Sequence, residues 1–348
     1  MNNQAARIFF AVAILLSSPA LVVAQSNKTD KPFVKQPSVK QPLAHTYSIV
    51  ARDPETNQLG VAVQSHWFSV GAIVPWAEAG VGAVATQSFV EPAYGPLGLA
   101  LMRAGKSAPE ALKSLLAGDA QADVRQVAMI DAQGRVATHT GEHCIIAAGH
   151  RAGANYSAQA NLMLKDTVWD AMAKAFENAK GDLADRLLAA LEAAQEEGGD
   201  IRGKQSAAII VVTGKPTGKL WADRLFDLRV EDHPEPVTEL KRLVKLQRAY
   251  TRMNTGDELF SKNDIAGAVR EYSAAEALVP DNIEMVFWHA VTLVNANKIE
   301  EAAPLFKRVF AEDRNWATLI PRLPKSKLLP DDQKIIQRIL SAAPVEKR

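Results

Sequence analysis

The chain has 348 residues, a formal net charge of +1 and 47% hydrophobic residues. That length allows a large core plus a second unit, and the balanced charge leaves no electrostatic footprint for nucleic acid. Cys144 is the only cysteine, so an intrachain disulfide is excluded and packing must hold the fold together.

Residues 1–24 read as a secretory signal: Arg7 supplies the positive charge, residues 8–16 form an apolar run, and Val22-Val23-Ala24 ends on a small residue. Ser17-Ser18-Pro19 interrupts the run, which is short of the ~20 residues that a membrane span needs. The expected location is therefore periplasmic or secreted, with no stable membrane insertion after signal cleavage. Residues 25–45 are rich in Lys, Pro, Gln and Ser, with Lys-Gln-Pro occurring twice. Proline and charge oppose both ladder bonding and burial, which predicts a disordered leader or propeptide.

Residues 46–52 carry β-branched and aromatic side chains and read as a strand; 53–57 form a turn and 59–64 the returning strand. A third strand at 81–86 is Gly/Ala-rich, as suits close helix packing. Short helices follow at 97–104 and 109–116, the second opened by Ser107 with Glu110 three residues later. A hairpin is expected at 126–130 and 135–139. Residues 149–162 read as a loop ending in amides. Helical spacing returns at 166–179 and 183–196, then a buried strand at 207–212, an edge strand at 226–230 and a helix at 237–251. This pattern alone supports α+β or α/β.

The C-terminal part has a period. Gly256, Ala268, Tyr272 and Pro280 recur 34 positions later as Ala290, Ala302, Phe306 and Arg314. This resembles tetratricopeptide repeats, in which small residues let paired helices touch and an aromatic fills between them. Pro304 falls early in its helix, where proline is tolerated. Two copies cannot bury a solenoid core alone, so they should dock on the helix at 237–251 or on the preceding domain. Such helices serve as a surface for a protein partner or as packing.

Three segments carry a second resemblance. They are Thr46-Tyr47-Ser48-Ile49-Val50-Ala51-Arg52-Asp53 with Leu59-Gly60-Val61-Ala62-Val63-Gln64-Ser65, then Glu78-Ala79-Gly80-Val81-Gly82-Ala83-Val84-Ala85-Thr86-Gln87, and finally Asp232-His233-Pro234 between a strand and a Leu/Arg-rich helix. Over about residues 46–250 the chain resembles the bacterial family called domain of unknown function 1028, grouped with the N-terminal-nucleophile (Ntn) hydrolases. The resemblance implies an α+β fold, a four-layer αββα sandwich, here followed by the all-α repeat tail. The implied domains are 46–250 and 251–348.

It also implies Thr46 as nucleophile, provided that the chain is cut so that Thr46 comes first. Its free α-amine, whose ordinary pKa is about 8, could then take the hydroxyl proton; with a peptide bond before it, that nitrogen cannot act as base. Ser48 and Thr86 are internal and weaker candidates. Gln87, at the end of a strand, and Asn161, at the end of the amide-bearing stretch, are the expected oxyanion donors; helix capping competes for Asn161. Ser65 is placed to bond the new α-amine, Glu91 to supply a rim carboxylate, and Asn155 to contact substrate. Asp53 reads as a turn residue before proline, and Cys144 as a buried inert thiol. His139, His143 and His150 invite a metal, but ligand identity and spacing both fall short, and no cofactor is expected.

The expected reaction is hydrolysis of an amide bond in a small peptide, an acylated amino acid or a cell-wall fragment. The rival is a non-catalytic peptide- or glycan-binding module that keeps its leader. A homo-oligomer stays open under either reading.

Overall fold

The computed structural model describes residues 43–344. The signal at 1–24 and the leader up to residue 42 lie outside the described residues. Along the chain come β1 (Leu43–Ala44), β2 (Thr46–Arg52), β3 (Leu59–Ser65), β4 (Pro75–Glu78), β5 (Gly82–Phe89), α1 (Tyr94–Arg103), α2 (Ala108–Gly118), β6 (Arg125–Asp131), β7 (Val136–Thr140), β8 (Gly149–Gly153), β9 (Tyr156–Ala160), α3 (Val168–Asn178), α4 (Leu183–Glu196), β10 (Ser206–Val212), α5 (Leu220–Asp223) and β11 (Arg224–Val230). Helices then take over: α6 (Pro236–Ser261), α7 (Ile265–Leu278), α8 (Ile283–Asn295), α9 (Ile299–Glu312), α10 (Asn315–Leu319) and α11 (Gln333–Leu340).

The strands make two antiparallel sheets. One runs β11-β10-β3-β2-β9-β8; the other runs β1-β5-β6-β7, with β4 also on β5. Alternation along β2 shows why they face each other. Tyr47, Ile49 and Ala51 point to a core shared with Met172, Phe176, Leu187 and Leu191 of α3 and α4, because successive side chains leave a strand on opposite faces. Val50 points the other way, into a second core with Val61, Val63, Ala83, Ala85 and Ile130. The helices α1 and α2 cover the outer face of β5 and β6 through Leu99, Met102, Ala111 and Leu112. Close approach there depends on Gly82: a Cβ at this position would lie 2.5 Å from the Ile130 carbonyl oxygen and 2.7 Å from the Met102 methyl.

Residues 149–162 are not a loop. Most of them form the hairpin β8–β9, whose turn places Asn155 in left-handed backbone (φ 64). Glycine and alanine carry no β-branched signal, which hid the strands; burial of Tyr156, Ala158 and Ala160 on the helix-facing side is what holds them. The edge strand β4 also carries too little apolar alternation to be read from sequence. Ser107 forms the expected capping box with Glu110, and β11 lies at a sheet edge.

The division expected at residue 250 falls inside α6. The first half of α6 packs Val237, Leu240 and Val244 onto the β10–α4 core, and Arg248 bonds Asp182 and Asp185 on α4. Its second half pairs with α7, where Gly256 would bring a Cβ within 2.9 Å of the Tyr272 ring. From there α8, α9 and α11 enclose an apolar core around Phe287, Phe306 and Phe310. Phe306 and Phe310 stack with centroids 5.5 Å apart. Among the described residues no helix is long and apolar enough to cross a membrane.

Candidate functional site around Thr46

The described chain enters through one sheet and leaves through the other. Leu43 and Ala44 pair with Phe89 and Ser88 on β5, whereas Thr46 pairs with Ser65 on β3. The peptide bond between His45 and Thr46 is therefore the crossing point between the two sheets. Leu43 and Ala44, which the sequence assigns to a disordered leader, thus form a short strand. Thr46 is wholly buried and His45 nearly so.

Two donors converge on the His45 carbonyl oxygen: Ser65 Oγ at 2.6 Å and Arg202 Nη2 at 2.8 Å. The guanidinium is fixed by Asp200, through Nε to Oδ1 at 3.0 Å and Nη2 to Oδ2 at 2.6 Å. Asp200 is itself buried and accepts from the backbone N–H of Arg202 and of His66. The Thr46 hydroxyl, on the other side of the same peptide bond, donates to Ala44 O at 2.7 Å.

Beneath the bond lies a web of amides. Thr46 O accepts from Gln87 Nε2 at 3.0 Å and from the Asn161 backbone N–H at 3.1 Å. Gln126 Oε1 accepts from both Gln87 Nε2 (2.7 Å) and Asn161 Nδ2 (2.9 Å). Gln126 Nε2 in turn donates to the carbonyls of Ala160 and Gly149 and to Thr140 Oγ1. Ser48 Oγ donates to Gln87 Oε1 at 2.6 Å and accepts from Gln159 Nε2 at 3.2 Å. The residues directly after Gln87 and Asn161, Ser88 (φ 73) and Leu162 (φ 58), both stand in left-handed backbone. Such positions cost of order 1–3 kcal/mol each and cluster where function requires a fixed geometry.

The His45 ring is held as well. Nδ1–H donates to Asn161 Oδ1 at 2.9 Å, and the ring stands edge-on to Phe89 with centroids 5.9 Å apart. Burial is the main cause holding its pKa below the ordinary 6.5, with the nearby Arg202 charge adding to it. The Asn161 bond and Asp200 pull the other way without prevailing.

Thus Thr46, Gln87, Asn161 and Ser65 are brought together. Gln87 and Asn161 hold Thr46's own carbonyl, and Ser65 holds the carbonyl of His45. Glu91 lies apart: its carboxylate accepts from the Ala93 N–H at the start of α1. Asn155 is not in the site. It sits beside Arg52 at the opposite end of β2 and accepts from Arg52 Nη1 at 3.0 Å; six strand steps put that end roughly 20 Å from Thr46. The three histidines bond different partners: His139 the Ala122 carbonyl, His143 Asp123 and His150 Thr140. Among the described residues no group of three or more His, Cys, Asp or Glu could hold a metal. Cys144 is buried, and burial raises its pKa.

Sequence reasoning missed Gln126, Gln159, Asp200 and Arg202. Gln126 stands beside Arg125 at the head of β6, ahead of the apolar run 127–130, so it read as an ordinary polar strand start. For Asp200 and Arg202 there was no signal, because they lie in a glycine-flanked turn without periodicity.

The chain belongs to the family of unknown function DUF1028, whose family model matches residues 46–240. The crystal structure of protein SPO2555 from Silicibacter pomeroyi, described under the same family, is similar at 30% sequence identity and a TM-score of 0.52. That similarity covers 57% of this chain and 84% of the other. No curated protein sequence matches this chain. The family match ends in the first turns of α6, so most of the helical region lies beyond it.

Proposed function

We propose that this chain is an Ntn-type amidohydrolase of the bacterial envelope, built as an αββα sandwich and activated by cutting the bond between His45 and Thr46. The observation that carries the reading is the pair of donors on the His45 carbonyl, Ser65 Oγ and Arg202 Nη2, directly across the bond from the Thr46 hydroxyl. Donors already aimed at an oxygen that gains negative charge lower the barrier to attack on its carbonyl.

The proposed cut uses that geometry. Thr46 Oγ1 attacks the His45 carbonyl carbon and gives up its proton. The C–N bond breaks, the nitrogen takes that proton, and an ester joins His45 to Thr46 Oγ1. Water hydrolyses the ester, leaving a carboxylic acid on His45 and restoring the Thr46 hydroxyl. Ala44 O orients the hydroxyl beforehand but is not its base. Once free, the Thr46 amine serves as base for later rounds, in which an amide substrate acylates the same oxygen. Gln87 and Asn161 hold the Thr46 carbonyl and so fix the nucleophile's backbone. The substrates proposed are a small peptide, an acylated amino acid or a cell-wall fragment. The repeat-like helices after α6 add packing and a surface for a protein partner.

A second reading, a binding module that keeps its leader, draws on the complete burial of Thr46 and the strand pairing of residues 43–44. A hydroxyl-reactive acylating probe separates the two. The hydrolase reading expects one adduct on Thr46 of the cut protein and none on the Thr46→Ala variant. Absence of an adduct on cut wild-type protein refutes it.

A further inference from the structure

Residues 43–45 occupy a shaped cleft. Main-chain pairing with Phe89 and Ser88 adds a short strand to the free edge of β5. Ala44 is completely enclosed, so the position preceding His45 accepts only a small side chain. His45 lies between the Asn161 amide and the Phe89 ring. Its carbonyl meets Ser65 and Arg202. Edge pairing that supplies affinity, with enclosed side-chain positions that supply selectivity, is how proteins recognise extended peptides.

We propose that the seat of residues 43–45 is the acyl-side binding cleft of the cut protein. Its ligand class is the C-terminal end of an extended peptide with a small penultimate residue and a final residue of imidazole type. This rests on the cut before Thr46 described above. Cutting turns the His45 carbonyl into a carboxylate, and the bond from Arg202 becomes charge-assisted on both sides, which shortens and strengthens it. The arm is then the protein's own first product. Only two residues of ladder tether it, so external peptides of the same chemistry compete for the place.

The test uses the full chain with residues 42–45 replaced by the recognition sequence of a site-specific endoprotease that cuts immediately before Thr46. The probe is the hexapeptide Lys-Gln-Pro-Leu-Ala-His with a free carboxylate, followed by calorimetry. We expect saturable one-to-one binding to the cut protein and none to the uncut Thr46→Ala chain, whose seat is filled. The C-terminal carboxamide of the peptide, and a peptide with leucine in place of its alanine, should each bind at least tenfold more weakly. Arg202→Met should weaken the free-acid peptide at least tenfold and leave the carboxamide little changed. The two altered peptides act on unmodified cleft residues, so the test stands if that variant does not fold. No binding of the free-acid peptide, or equal binding of all three peptides, overturns the assignment. Turnover plays no part in this readout. A protein that binds the peptide but hydrolyses nothing keeps the cleft and loses the hydrolase reading; one that hydrolyses amides without binding the peptide does the reverse.

Discussion

The space between the two sheets has two unlike ends. Near Arg52 and Leu59 it is filled by Val50, Val61, Ala83 and Ile130. Near Thr46 the same slab holds Ser48, Gln87, Gln126, Gln159 and Asn161, all completely buried. An apolar filling would suffice for folding, since buried amides cost free energy unless their hydrogen bonds are met. Gln87, Gln126 and Asn161 are bonded to one another, and Gln87 and Asn161 also to the Thr46 carbonyl, so their burial fixes one residue's position; Gln159 instead bonds Ser48 and the Ala85 carbonyl through Nε2 and leaves its Oε1 without a partner. The contrast is what singles out the Thr46 end as the candidate site.

The sharpest way to break this contrast is at Thr46 itself. Thr46→Ala should abolish both the cut and any covalent adduct, while costing only about 1 kcal/mol of stability for one lost hydrogen bond. Mass spectrometry and urea unfolding read the two effects separately. Next come the carbonyl donors. Ser65→Ala or Arg202→Met should slow the cut by roughly 10²–10³-fold, the usual loss for one donor to a developing oxyanion. Arg52→Met at the other end should leave that rate unchanged in the same time course.

Stability separates the ends by a smaller margin. Gln126→Leu removes the acceptor shared by Gln87 and Asn161 and the donor to two strand carbonyls, at ~1–3 kcal/mol for each group left unsatisfied. Ile130→Val at the apolar end should cost only ~0.5–1.5 kcal/mol. Equal losses in urea unfolding would contradict the distinction. The smallest effect expected is that of pH on the arm. Buried His45 has its pKa depressed below 6.5 by burial, against Asn161 and Asp200. Above 6.5 it is neutral whether seated or released, and seating carries no proton penalty. As pH falls below 6.5 the released form takes up a proton first, so seating weakens progressively until the lower, seated pKa is reached. Proteolysis at residues 43–45 of the uncut Thr46→Ala chain should therefore quicken below pH 6.5, and less so with His45→Asn.

Much of the scaffold was legible because its signals are local. β-branched and aromatic residues marked β2, the turn at 53–57 set off β3, the Ser107–Glu110 box marked the start of α2, and helical spacing marked α4 with its observed bounds. The hairpin β8–β9 was not legible, since its residues are too small to carry strand propensity and are held by what packs on them. Gln87 and Asn161 could be singled out as amides at element ends. Their partner Gln126 could not be joined to them without the register of β5 against β6. Arg202 and Asp200 reach the site from a turn far along the chain, so only the tertiary fold connects them to His45. Asn155 was misplaced for the converse reason: proximity to Asn161 in sequence hid the fact that a strand separates them.

The central claim is that the bond at the crossing between the sheets is the one that breaks. Intact-mass analysis of the protein from its native host tests it most directly. The account predicts a chain whose first residue is Thr46, bearing a free amine. Recovery solely of chains that begin at Gln25, with the arm still joined through His45, would contradict it.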